Sequence, residues 1–407
     1  MELCFVVGSM AISGGTYVII QHASYLRARG HNVTLAVQEP FTTETLAWHD
    51  EAPKLRCLPI DEAKKQPFDL VIATWWKTVF ELGNFDSRRY GYFVQSIESR
   101  FYPISERPLR ALVDATYNFP IEYVTEATWI QQHLKDSFGQ HADLVRNGIR
   151  KDVYSINGPT IEARPAGKQP RVLVEGHFGV SFKNTALGVR LAREAGAKDI
   201  WLLTGSPISW IPGISRVFSR VPMVKTAEIY RSCDILIKLS TVEGMFGPPL
   251  ELFHCGGTAI VFDVSGHDEY ILDGSNAIVV KTGNVDGVVK ALKQLLTNSE
   301  ELLRLQDEAL KTAEKWPSWP EASVLFENWV EKCMSAPPVN KAKLIDLTTN
   351  AFSEYSTAEK DRLSNNPGIV RRHKLSALAA KLPSSFKLRI KQLEAVGEVI
   401  FGGRVVR

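Results

Sequence analysis

The chain has 407 residues, 44% of them hydrophobic and 23% charged, with 48 basic and 45 acidic side chains and a net charge of +3. That balance is ordinary for a globular protein and excludes a disordered or fibrous chain. A near-neutral total gives no global signal for nucleic-acid binding, and the length implies about two or three domains.

The chain opens on an apolar run, Leu3–Val7, with no positive flank before it. It reads as a first strand, not a secretory leader. A glycine turn follows at Ser13-Gly14-Gly15, then a helical pattern from Tyr17 to about Arg29, stopped by Gly30. Strand-like runs recur at Asn32–Val37, Phe68–Ala73, Tyr90–Val94 and Leu144–Arg146. This rhythm implies a parallel sheet covered by helices on both faces. Residues 155–170 are rich in Pro and Gly and poor in large apolar side chains, the composition of an inter-domain linker.

The rhythm then restarts. Strands are expected at Val172–Glu175, Ile200–Leu203, Ile235–Leu239, Thr258–Phe262 and Ala277–Val280. Helices are expected at Asn184–Ala195, Ala227–Ser232, from Leu250 to Cys255 and at Val285–Leu296. A helical stretch over Ser299–Lys332 is broken by Pro317 and Pro320, where the chain is expected to return to the first domain. The expected organisation is two doubly wound Rossmann-like α/β domains, 1–158 and 165–325, a helical return segment at 326–345 and a basic tail at 346–407. Ligands of such folds bind outside the carboxyl ends of the strands. Two such domains facing each other are expected to leave a cleft there.

Charge is unevenly placed. Residues 336–407 hold 13 Lys and Arg against 6 Asp and Glu. From Arg371 onward basic residues alternate with apolar ones, and Leu375, Leu378 and Leu382 follow helical spacing. A basic amphipathic segment of this kind fits an anionic membrane surface, or else a solvated or partner-packed helix. Five cysteines (Cys4, Cys57, Cys233, Cys255, Cys333) form no CxxC pair, which points to free thiols in a reducing cytoplasm. No apolar stretch approaches the ~20 residues of a membrane span.

The stretch richest in chemistry is Glu243-Gly-Met-Phe-Gly-Pro-Pro-Leu-Glu251, followed by Cys255-Gly256-Gly257-Thr258. Two carboxylates flank a Gly/Pro turn that opens a helix. Carboxylates accept hydrogen bonds from sugar hydroxyls, while exposed backbone N–H groups and a helix N-terminus favour phosphate. The same acids also suit a solvated loop and an ordinary helix start. A second loop, Glu175-Gly-His-Phe-Gly-Val-Ser-Phe-Lys183-Asn184, precedes a helix. A lysine is unfavourable there unless an anion is near.

These residues resemble the GT4 retaining glycosyltransferases of the GT-B fold. The resemblance implies that Glu243 meets the donor sugar, Glu251 the nucleotide ribose, and Lys183 the diphosphate. His177 stands where the family has an arginine, and Met245 shifts the family glycine by one, leaving Phe246 and Gly247 as the backbone donors. A narrower resemblance, to WsaF-type rhamnosyltransferases of bacterial surface polysaccharide and O-antigen synthesis, rests on Tyr92-Phe-Val-Gln95-Ser-Ile-Glu98, Ala115-Thr-Tyr117 and Thr128-Trp129. It suggests rhamnose as the sugar and Glu98 as an acceptor-side residue. Gly14 and Gly15 either let the backbone approach a ligand or form an ordinary turn. Trp75-Trp76 offers rings for an acceptor sugar or for the core, and Gly266–Tyr270 lies after another strand.

No Asp-x-Asp, Walker A or HExxH motif is present, so metal-independent transfer with no cofactor beyond the nucleotide sugar is expected. The expected partners are that donor, a saccharide or lipid-linked saccharide acceptor, and the inner face of the cell membrane, with no nucleic acid. A nucleotide-sugar epimerase of the same fold and a non-catalytic carbohydrate-binding protein are the alternatives.

Overall fold

A computed structural model describes residues 1–365 and 383–406. The chain forms two compact units. The first comprises Met1–Asn147 with two helices from beyond residue 318, and the second comprises Gly148–Ser318 with the C-terminal helix.

The first unit is built from β1 (Glu2–Val7), α1 (Gly14–Ala28), β2 (Asn32–Val37), α2 (Thr43–Leu46), β3 (Arg56–Pro59), α3 (Ile60–Ala63), β4 (Leu70–Ala73), α4 (Trp76–Val79), β5 (Tyr90–Val94), α5 (Arg107–Ala115), β6 (Glu122–Thr125), α6 (Thr128–Phe138) and β7 (Ala142–Leu144). Its seven strands are all parallel, in the order β3-β2-β1-β4-β5-β6-β7.

The second unit contains β8 (Val172–Glu175), α7 (Thr185–Glu194), β9 (Ile200–Thr204), β10 (Arg216–Ser219), α8 (Met223–Arg231), β11 (Ile235–Lys238), α9 (Gly247–His254), β12 (Thr258–Phe262), β13 (Ile278–Val280), α10 (Val285–Thr297) and α11 (Ser299–Lys315). Its six strands are also parallel, in the order β10-β9-β8-β11-β12-β13. The remaining helices are α12 (Trp319–Ser335) and α13 (Lys341–Ser364), which belong to the first unit, and α14 (Ser384–Phe401), which belongs to the second. Both strand orders are the doubly wound arrangement. The two Rossmann-like sheets expected from the apolar rhythm are both present.

Period-2 alternation sends successive side chains of each strand to opposite faces. In β1, Cys4 and Val6 join a core with Leu112, Leu134 and Leu344, while Leu3, Phe5 and Val7 join one with Ile20, Phe326 and Trp329. In β8, Val172 and Val174 pack with α7, α10 and Ala395 and Val399 of α14. Leu173 faces α8, α9 and α11.

The linker and the tail differ from the sequence expectation. Residues 155–170 belong to the second unit and do not separate it from the first. Buried Arg171 donates to the carbonyls of Glu162 and Ala163, Arg164 to those of Cys255 and Gly256, and Arg231 to that of Pro159. Hydrogen bonds to backbone carbonyls, together with Ile161 packed against the core of the second unit, thus anchor the segment. The return to the first unit comes at Trp319, so α12 and α13 both lie there, and only the last helix departs to the second unit.

Of the expected amphipathic tail, Arg371–Lys374, Leu375, Leu378, Lys381 and Leu382 lie outside the described residues. No helix among the described residues is long and apolar enough to cross a membrane.

Candidate active site

In a doubly wound sheet the strand order reverses between the first and fourth strands in sequence, and loops leaving those two carboxyl ends diverge to leave a crevice. In the second unit the pair is β8 and β11. β8 ends on Glu175 and leads to His177 and Lys183, while β11 ends on Lys238 and leads to Glu243. The two loops are stitched together. Thr241 N–H donates to Phe182 O (2.8 Å), and the Asn184 side-chain amide donates to Leu239 O (3.0 Å). Asn184 is left-handed (φ 49°), turning the chain from the Ser181–Lys183 turn into α7.

This frame brings Lys183 and Glu243 together. The Lys183 ammonium is 2.8 Å from both Glu243 carboxylate oxygens. Lys238 Nζ lies 3.7 Å from Glu243 Oε1 and also bonds Glu175. Burial pushes the Glu243 carboxyl up, but the two ammonium groups outweigh it and hold the acid below its ordinary value. Lys238 is 3% exposed. Burial works against its charge, yet Glu175, Glu243 and Glu251 together keep it ionised above the usual lysine range.

Glu251 sits in the second turn of α9, half-buried, where the Tyr230 and Tyr154 hydroxyls hydrogen-bond it. Burial and the Glu175 charge push its carboxyl up to about 7, against the pull of those hydroxyls and of Lys238. Lys238 therefore interacts with both acids of the Glu-x7-Glu pair, so the two occupy one site.

His177 rests on Gly205, where even a single Cβ would meet its ring at 2.2 Å. Burial pushes this histidine down, and Lys183 and Lys238 add to the effect against Glu175. It is a neutral donor or acceptor at neutral pH, in the place where the family resemblance has a fixed cation.

The helix start differs from what the turn composition led us to expect. Phe246 adopts φ −85° and ψ 77°, an inverse γ-turn. Its closing bond commits the Gly247 N–H to Met245 O at 3.1 Å. Pro248 and Pro249 carry no N–H at all. Gly247 is therefore not an available phosphate donor, and this helix start supplies less anion affinity than its position suggests. Met245 and Phe246 are both buried and anchor the loop, and the Tyr270 hydroxyl donates to Phe246 O. The Gly266–Tyr270 stretch thus supports the acid loop from below.

The first unit presents its own switch point between β1 and β4. Gly14 and Gly15 open α1, with Ser13 as N-cap accepting from Thr16 N–H (3.1 Å). A Cβ on Gly15 would come 3.3 Å from Gln95 Oε1, so glycine admits the Gln95 side chain. Gln95 Nε2 donates to Thr74 O (3.3 Å), while its buried Oε1 has no hydrogen-bond partner. Trp75 is half-buried beneath Lys77, whose ammonium stands 4.7 Å from the ring centre, and Trp76 is buried.

Glu98 does not fit an acceptor-side catalytic role. It is 4% exposed and accepts from the Trp76 N–H (2.7 Å) and the Tyr92 hydroxyl (3.1 Å). Burial pushes its carboxyl up to about 8. It is a core acid that fixes the start of α4. Lys238 and Glu175, by contrast, carry the site electrostatics but escaped the sequence reading. The only available signal was a charged residue closing each of two apolar strand runs.

Residues 215–312 match the family model of glycosyl transferases group 1. This segment runs from the start of β10 into α11 and contains Lys238, Glu243 and Glu251. Over 277 residues the chain is 24% identical to the O-antigen biosynthesis protein RfbC of Myxococcus xanthus, covering 65% of this chain and 21% of that protein. The chain thus matches about a fifth of the length of that relative.

Among solved structures, Anabaena HepE in complex with UDP and glucose superposes with a TM-score of 0.65 at 11% identity, over 82% of this chain and all of that one. Sucrose-phosphate synthase from Thermosynechococcus elongatus gives 0.63 at 14% identity, with the same coverage of this chain and all of that one. The fold is GT-B.

Proposed function

We propose that the protein is a glycosyltransferase that moves a sugar from a nucleoside diphosphate donor to a saccharide acceptor in surface polysaccharide synthesis. The observation that carries this reading is the Lys183–Glu243–Lys238 cluster beside Glu251 at the switch point of the second sheet. The group 1 segment contains three of these four residues. The kinship with an O-antigen biosynthesis protein supports the pathway, and the likeness to a fold that holds UDP and glucose supports the donor class.

In this reading Lys183 takes the diphosphate, Glu243 a hydroxyl of the donor sugar and Glu251 the ribose. The bond from the anomeric carbon to the phosphate oxygen breaks, and the acceptor hydroxyl oxygen bonds to that carbon. Its proton passes to the departing phosphate oxygen. Attack from the leaving-group side retains the anomeric configuration, and no group other than the donor and acceptor is consumed. Lys183 stabilises charge that grows on the diphosphate, the kind of preorganised interaction that lowers a barrier most. Glu243, kept ionised, faces the positive charge that grows at the anomeric carbon.

Rhamnose is our proposed sugar and a lipid-linked saccharide our proposed acceptor, with the enzyme at the inner face of the membrane. α14 supports that location. Its Ala395 and Val399 face the core of the second unit. On the other side of the helix Phe386, Ile390, Leu393, Gly397 and Ile400 recur at helical spacing. Phe386 is 57%, Leu393 69% and Phe401 85% exposed. Lys387, Arg389 and Lys391 flank this stripe. An apolar stripe with basic flanks fits an anionic lipid surface.

The deciding experiment is a thermal-shift panel of nucleotide sugars followed by a transfer assay with the best donor. A ligand at 100 times its dissociation constant stabilises by about 2.7 kcal/mol. No shift with any nucleoside diphosphate sugar would sink the reading. A product formed from donor alone, without acceptor, would make the protein an epimerase instead.

A further inference from the structure

Lys238 ends a strand whose other residues are Ile235, Leu236 and Ile237, and it is nearly as buried as they are. A lysine in that position is costly unless its charge is matched. The matching is specific. Its ammonium bonds the carboxylate of Glu175, which ends the neighbouring strand, and stands 3.7 Å from Glu243. Lys183 holds the same Glu243 through both oxygens at 2.8 Å, but from a surface loop and with its side chain 21% exposed. Glu243 is thus gripped by two cations of different kinds, one on a long side chain reaching from solvent and one locked in the sheet.

A diphosphate arriving from solvent carries more charge than a carboxylate and competes for the accessible cation. Lys183 can turn to it; Lys238, tied to Glu175 inside the sheet, cannot. We propose that Lys238 is a positioning residue that holds Glu243 ionised and in place when Lys183 leaves it for the diphosphate of the donor. This inference rests on reading the site as one for a nucleoside diphosphate sugar.

The charged and titratable groups around Glu243 fit that role. Lys183 and Lys238 act on it directly, and the nearby Ser240 hydroxyl adds to their effect. Glu175 from β8 and Glu251 from α9 lie beyond Lys238. His177 on the β8 loop is held neutral, and the Tyr270 phenol behind the loop and the Tyr230 phenol beside Glu251 are both held protonated by burial. Lys183 and Lys238 both hold Glu243 ionised, and once Lys183 has moved, Lys238 still opposes protonation of the acid.

The test is isothermal titration calorimetry with UDP as the probe, at about pH 6 and 7, in buffers of differing ionisation enthalpy, which counts protons exchanged on binding. In the parent protein Lys238 keeps Glu243 charged, and its contribution to proton uptake is small. In Lys238→Met, Glu243 loses its second cation as UDP claims Lys183, and up to about one extra proton is taken up per UDP bound. That extra proton disappears in Lys238→Met/Glu243→Gln, which separates it from any uptake at Glu251.

Lys238→Arg restores the parent count. Should Lys238→Met fail to fold because Glu175 is stranded, the Glu175→Gln/Lys238→Met variant removes both charges and is expected to show the same extra proton. Equal uptake by the parent and the lysine variants, with UDP bound in all, overturns the proposal. If the parent binds neither UDP nor any other nucleoside diphosphate, the reading of the site has failed and the proposal falls with it. That outcome is recognisable without any Lys238 variant.

Discussion

The Lys183 ammonium lies 2.8 Å from each carboxylate oxygen of Glu243, sixty residues further along the chain. Lys183 stands just before the N-terminus of α7, where a cation is disfavoured by the helix dipole unless an anion faces it. Glu243 is that anion here, and a phosphate would replace it. The pair is a closed contact, and in the proposed reading the donor diphosphate opens it.

Lys183→Ala removes the cation that we assign to the charge developing on the leaving group. Transfer is expected to slow by about 10²–10³-fold, the typical effect of losing one preorganised stabilising group. Steady-state kinetics with saturating donor are the check. Parent-like turnover would remove Lys183 from the mechanism.

Glu251→Ala takes away the acid assigned to the ribose and is expected to raise the donor KM more than it lowers kcat, because ribose contacts are made equally in ground and transition states. An unchanged donor KM would contradict the assignment.

Glu98 makes stability fall with rising pH. An unfolded glutamate ionises near 4.5, whereas burial moves this one to about 8. Between those values the folded chain keeps a proton that the unfolded chain has lost, so stability drops as pH climbs through the window. Glu251, raised to about 7, acts in the same direction. Glu98→Gln keeps the shape without the ionisation, and its Tm should fall less steeply than the parent's from about pH 5 to 8. Parallel Tm curves would refute the burial argument.

Arg171 is 2% exposed and ties Asp199 (2.6 Å), Glu162 (2.9 Å) and Ser232 O (2.8 Å) while lying over the Trp201 ring. Arg171→Met takes this donor from Asp199 and the Ser232 carbonyl, while Glu162 keeps Arg216; with Asp199 33% and Glu162 49% exposed, a loss of about 1–3 kcal/mol in unfolding free energy is expected. Chemical denaturation measures it. A loss below about 1 kcal/mol would mean that the 155–170 segment is held by something else.

The α14 stripe is tested by Phe386→Ser, Leu393→Ser and Phe401→Ser combined, with flotation on acidic vesicles. The three side chains are exposed, so stability should change little, while vesicle binding should drop and the remainder, carried by the basic residues, should be abolished by salt. Cutting the chain after Pro337 would be a poor substitute. It would also remove Leu344, Ala351, Ala395 and Val399 from the cores of the two units. Undiminished flotation of the triple variant would rule out the stripe as the lipid contact.

Strands built from unbroken apolar runs were legible to the residue. Asn32–Val37, Tyr90–Val94, Val172–Glu175 and Thr258–Phe262 appear with the bounds the sequence suggests. β3 and β10 were not, because an edge strand such as Arg56-Cys-Leu-Pro59 is half-exposed and needs no such run; β6, Glu122–Thr125, has too few apolar residues to stand out. In the candidate site, Lys183 and Glu243 stood out by motif. Lys238 did not, since its partner Glu175 is a neighbour only through the order of the sheet. Gly247 was misjudged for a local reason, a γ-turn that uses its own N–H.

The covering of the first sheet by α12 has a cost during synthesis. Phe326 stacks on Phe5 and meets Phe93, yet it leaves the ribosome only after the whole second sheet has been made. At about 5–20 residues per second, the stretch from the end of the first sheet to the end of α12 takes on the order of ten to forty seconds. Throughout that interval an apolar face stays bare on the nascent chain, a target for chaperones and a hazard in any fragment that stops short of α12.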